Sequence, residues 1–78
     1  MTVERIRSLY QQRPFQPFII HLADGRQLTV HHNEFLSFFP SGRTIILTQP
    51  DDSFNMVDLL LVTDLEVKAP ASPQLQSS

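Results

Sequence analysis

Residues 21–32, "HLADGRQLTVHH", put His21, His31 and His32 close to Asp24, which are the residue types of a zinc site. Zinc needs its ligands to converge within about 2 Å of one ion. Adjacent His31 and His32 point to opposite faces of a strand, and in the hairpin register derived below His31 lies about 13 Å from the partner of His21. The histidines therefore read as surface and rim residues, and no metal or cofactor is expected. His21, Ser37 and Asp58 are the right types for acid–base or nucleophilic chemistry, but nothing in their spacing brings them together. Asp51 and Asp52 could act as paired carboxylates, yet between Pro50 and Ser53 they read as a solvated turn. Gly25 and Gly42 could cradle a phosphate, but no glycine-rich strand-to-helix motif surrounds either, and turn chemistry explains both. The expectation is a protein without catalysis. Arg26 and Arg43 each follow a loop glycine and, with Arg13, form the candidate RNA or anion contact. Tyr10, Phe15, Phe35, Phe38 and Phe39 could stack on bases, but in a domain poor in core residues they serve first as core or interface.

These side chains sit on a chain of 78 residues with no cysteine and a net charge of −2. A chain of this size buries only about 60% of its unfolded surface, so its core is small and oligomerisation is a plausible aid to stability. Disulfides and thiolate metal sites are excluded. The opening "MTVERIRSLYQQR" is charged where a signal peptide needs an apolar stretch, and no apolar run approaches a membrane span, so a cytoplasmic protein is expected. Six Lys and Arg against eight Asp and Glu argue against a dedicated nucleic-acid binder, which draws most of its affinity from neutralised phosphates.

The elements follow from local pattern. Val3, Ile6, Leu9 and Tyr10 recur on one helical face behind Thr2, a capping residue, which predicts an amphipathic helix to about Gln12 with Arg5 and Arg7 on opposite flanks of its apolar stripe. Pro14 ends it, and "RPFQPF" continues extended. "PFIIHLA" and "RQLTV" flank Asp24 and Gly25 as a hairpin. A two-residue turn would oppose Leu22 to Gln27 and Ile20 to Thr29. A three-residue loop, Ala23 to Gly25, instead pairs Ile20 with Leu28 and Phe18 with Val30, collecting the apolar residues on one face. "FLSFFPSGRTIIL" repeats the device, with a three-residue loop expected at Pro40 to Gly42. Its runs are apolar at consecutive positions, so both faces must be covered. "HHNEF" before it is either a turn or a helical turn capped by Asn33, and "TQPDDS" is a polar turn. "FNMVDLLLVTDLEV" gives a strand, a tight corner near Leu59 to Leu61, and a last short strand. Residues 1–68 form one domain; 69–78 are expected to be a flexible Pro, Ser and Gln tail.

A helix followed by five or six short strands is the order of a small, strongly bent antiparallel barrel of the SH3-like or Sm-like kind, mainly β with an N-terminal α-helix. "PFIIHLADGRQLTV" resembles the first hairpin of the Sm-like family, most of all its Hfq-like and Rof-like branches, and "MVDLLLVTDLEV" resembles the family's last strand pair. The chain also resembles short bacterial proteins that share the blocks "RPFQPF", "LADGR" and "DLLLVT". The Sm-like resemblance implies a ring joined strand edge to strand edge that binds RNA at its pore or rim. The positions matching the family's pore Lys-His pair are Leu59 and Leu60, and the basic rim after the helix is reduced to Arg13. Ring formation survives these departures better than RNA binding does.

Phe35, Phe38 and Phe39, with Leu59, Leu60, Leu61 and Val62, exceed what one small core can hold. They are the candidate oligomer interface; a sheet face covered by the helix is the competing explanation. The function expected from sequence is a non-catalytic assembly or protein-interaction module that pairs with itself or a protein partner. The alternative is an Sm-like RNA-binding ring.

Overall fold

The computed structural model describes residues 2–67. The expected tail, 69–78, lies outside them. A helix, α1 (Val3–Tyr10), precedes six strands: β1 (Phe18–Leu22), β2 (Gln27–Val30), β3 (Leu36–Phe38), β4 (Thr44–Thr48), β5 (Phe54–Asp58) and β6 (Val62–Val67). Thr2 stands at the helix N-cap, but its side chain makes no capping hydrogen bond. The helix ends at Tyr10, two residues before the predicted limit. Arg5 and Arg7 do lie on opposite flanks: Arg7 stacks over the Phe38 ring at 4.7 Å, whereas Arg5 faces β6.

The strands form two three-stranded antiparallel sheets, ordered β2-β1-β6 and β3-β4-β5. No ladder joins the sheets among the described residues, so strand pairing does not close a barrel. Residues 31–35 intervene between β2 and β3, and β3 itself is only three residues long. Within the segment, Asn33–Phe35 form a 3-10 turn whose cap is His32, not Asn33.

The first hairpin has the register read from the sequence, Phe18 opposite Val30, Ile20 opposite Leu28 and His21 opposite Gln27. Its three-residue loop is closed by the Leu22 N–H on the Arg26 carbonyl (2.9 Å), with Gly25 at φ +93°, where a side chain would be strained. The second hairpin departs from expectation. Phe39 N–H donates to the Thr44 carbonyl (3.0 Å), so the loop holds Pro40 to Arg43, one residue more than predicted. The extra residue lets Leu36 face Leu47 and Phe38 face Ile45, like against like. A third hairpin has the compact form of the first: Gln49 N–H donates to the Ser53 carbonyl (2.7 Å), and Asp52 (φ +73°) occupies the place that Gly25 holds in the first loop.

Alternation then builds the core. Phe18, Ile20, Leu22 and Val30 from the first sheet meet Leu36, Ile45, Leu47 and Val57 from the second, with Ile6 of α1 among them. Among the described residues, none that is buried is polar or charged. Leu59–Leu61 form a 3-10 corner between β5 and β6, capped by Asp58, whose Oδ1 accepts the Leu60 N–H at 2.9 Å.

Candidate functional site

The 3-10 corner carries the chain from the second sheet back to the first, and a backbone hydrogen bond anchors each of its ends. Leu59 N–H donates to the Arg43 carbonyl (2.8 Å) in the β3–β4 loop, and Ala23 N–H in the β1–β2 loop donates to the Leu61 carbonyl (2.8 Å). Both arginine-bearing loops therefore flank the corner. Arg26 is held by Asp24, whose Oδ2 accepts from Arg26 Nε at 2.8 Å while Oδ1 accepts the Arg26 backbone N–H at 3.0 Å. The Arg26 backbone N–H is the leading cause that holds the Asp24 carboxyl below its ordinary value; desolvation opposes it, and the Arg26 guanidinium adds to the lowering. Arg43 N–H donates to Ser41 Oγ at 3.2 Å. Arg13 stands elsewhere. It precedes β1, near Phe15, whose ring lies 5.9 Å from that of His32, and so sits at the end of β1 away from Arg26. The structure brings Arg26 and Arg43 to one corner and leaves Arg13 at the other end.

The residues considered for chemistry are dispersed. His21 is on the first sheet, with Nε2 at 2.9 Å from Glu66 Oε1 on β6. Ser37 and Asp58 are on the second sheet, on strands separated by β4. His31 is exposed, and His32 Nδ1 lies 3.3 Å from Glu34 Oε2. No three His, Asp or Glu side chains among the described residues cluster as metal ligands would. Asp51 Oδ1 accepts from both Ser53 Oγ (2.6 Å) and Ser53 N–H (3.0 Å), the hydroxyl being the larger cause of its lowered pKa. Asp51 thus closes a turn.

The candidate interface residues divide by burial. Leu59 and Val62 belong to the core, and Phe35 and Phe38 pack against it half-buried, Phe38 edge-on to Tyr10 at 5.1 Å. Phe39 (37%), Leu61 (47%) and Leu60 (83%) remain exposed. Sequence reading passed over Phe54 and Met56, each 62% exposed on β5, an edge strand. The signal for them was present: in "FNMVD" the residue between Phe54 and Met56 is Asn55, so the alternation sends Val57 one way and the two large side chains the other.

A second feature lies beside α1. An open groove of about 430 Å³ runs between the helix and β6, lined by Glu4, Arg5, Ser8, Leu9, Leu65 and Val67. Among the described residues no helix is long and apolar enough to cross a membrane. Comparison with protein-family models, with curated proteins and with solved structures finds no match to this chain.

Proposed function

We propose that this chain is a non-catalytic, self-associating module whose strand order follows the bent SH3-like or Sm-like plan and whose contact surface runs from β5 into the 3-10 corner. One observation carries the reading. Of the six exposed large apolar side chains among the described residues, Phe54, Met56, Leu60 and Leu61 fall within a single run of the chain, on an edge strand and the corner that follows it. A small domain gains by covering such a run, because apolar area removed from water is worth roughly 25 cal/mol per Å². The edge of β5 adds unpaired backbone groups that a second strand can satisfy. The alternative, an Sm-like RNA-binding ring, needs Arg13, Arg26 and Arg43 to act on one ligand. The separation of Arg13 from Arg26, and the engagement of Arg26 by Asp24, favour the assembly reading.

Light scattering on a sizing column tests it. The wild type is expected to run as an oligomer whose mass holds across micromolar concentrations and is indifferent to added short RNAs. Leu60→Glu, at a position with no packing to lose, should shift that species to the monomer mass while the circular dichroism stays folded. A wild type that is monomeric at micromolar concentration would overturn the proposal.

A further inference from the structure

The groove beside α1 has a different character from the β5 surface. Its floor is apolar, Leu9 from the helix with Leu65 and Val67 from β6, and Val67 is 41% exposed with nothing over it among the described residues. One wall is the helix, where Glu4 and Arg5 offset each other in charge. The other boundary is the outer edge of β6, the terminal strand of the first sheet, which leaves alternate N–H and C=O groups without strand partners among the described residues. An apolar floor beside an unpaired strand edge and under a helix suits an extended backbone that adds to the sheet while sending alternate side chains into the groove.

The period of the strand specifies those side chains. Leu65 and Val67 lie opposite Ile20 and Phe18 and face inward, whereas Asp64 and Glu66 lie opposite His21 and Ile19 and face outward. A strand added along β6 would set its inward residues beside Leu65 and Val67 and its outward residues beside two carboxylates. Glu66 reaches His21, and Asp64 has no ion-pair partner among the described residues. Opposite charges directly across an antiparallel pair are favourable and like charges unfavourable. A second copy of β6 is disfavoured on that ground, and β5, "FNMVD", has no cation to offer. We propose that the free edge of β6 beneath α1 binds an extended peptide segment of a partner protein in which aliphatic residues alternate with Lys or Arg. This site is separate from the β5 surface and does not depend on its use.

The test uses the full chain and a fluorescent peptide of alternating Val and Lys, read by anisotropy. A peptide of the same composition with its valines and lysines in separate blocks is the control for unspecific attraction to an acidic protein. The alternating peptide is expected to bind at least tenfold tighter than the block peptide. Val67→Asn, which removes part of the floor without changing charge, should weaken it several-fold. The double variant Asp64→Lys with Glu66→Lys should lose it and gain a peptide of alternating Val and Glu. Both variants alter exposed side chains, so circular dichroism should remain that of the wild type. Equal affinity for the two peptide orders, or affinity untouched by the double variant, would overturn the proposal. So would a double variant that changes the oligomer mass while no peptide binds, since that outcome gives the edge to a second copy.

Discussion

The two sheets are built alike on the inside and differently on the outside. Inward, each presents large aliphatic or aromatic residues to one shared core. Outward, the first sheet shows His21, Gln27, Thr29, Asp64 and Glu66, and the one apolar residue on that face, Ile19, is 8% exposed among them. The second sheet shows Ile46, half-buried, beside Met56 and Phe54, diluted only by Ser37, Thr44, Thr48 and Asp58. The inner faces answer to packing and carry little information about role. The outer faces differ in chemistry, one polar and charged and the other carrying the exposed Met56 and Phe54.

The largest effects should be equal on the two inner faces. Phe18→Ala in the first sheet is expected to cost about 3–5 kcal/mol and Ile45→Ala in the second about 2–5 kcal/mol, because both are fully buried and leave cavities. Urea denaturation measures both; a tolerant Ile45 would mean that the second sheet is peripheral to the fold. The outer faces should then separate. Phe54→Lys and Met56→Lys are expected to dissociate the proposed oligomer, while Thr29→Lys on the first sheet should leave the mass unchanged and stability within about 0.5 kcal/mol.

The loops sharpen the comparison at a smaller scale. Gly25→Ala should destabilise by about 1 kcal/mol although the space around it is open, since φ there is +93°. Asp52→Gly, at φ +73°, should stabilise by about 0.5 kcal/mol, a gain readable as a raised melting temperature. The smallest effect is one of pH. Asp24 and Asp51 have folded-state pKa values below their ordinary 3.8, so each contributes stability that is present above that value and is lost as pH falls through the lowered folded value. Asp24→Asn and Asp51→Asn should each flatten the acid limb of a stability profile below about pH 4; a wild-type slope in both variants would mean that other carboxylates set it.

The sequence was most legible where one face of an element is polar. In the first hairpin, opposing Leu22 to Gln27 is plainly wasteful, and that contrast selects the loop length. "FLSFF" and "RTIIL" are apolar on both faces, so a slip of one residue moves no wholly apolar set out into water, and the loop predicted from the glycine is one residue short. Opposing residues by type, as in the first hairpin, would have corrected it, because a three-residue loop sets Phe38 against Thr44. Asp52 in a left-handed conformation had no glycine to announce it. Among the candidate interface residues, burial of Leu59 beside exposure of Leu60 depends on the 3-10 corner, since both are the same residue type. The groove was not legible at all. It joins Arg5 and Leu9 to Leu65 and Val67, and that meeting depends on β6 being the terminal strand beside β1.

The corner at Leu59–Leu61 has a consequence for how the domain comes apart. Two sheets without a common ladder look like two separable halves. Yet the chain passes from one to the other through this corner, and a backbone bond ties each end of it to one sheet: the Leu59 amide continues the β4–β5 ladder and the Ala23 amide the β1–β6 ladder. With each end of a three-residue corner fixed to its own ladder, neither sheet can swing away without breaking a rung or exposing the core the two sheets share. The protein should therefore exchange these two amides only when it unfolds as a whole, so that a molecule drawn as two layers behaves as a single cooperative unit.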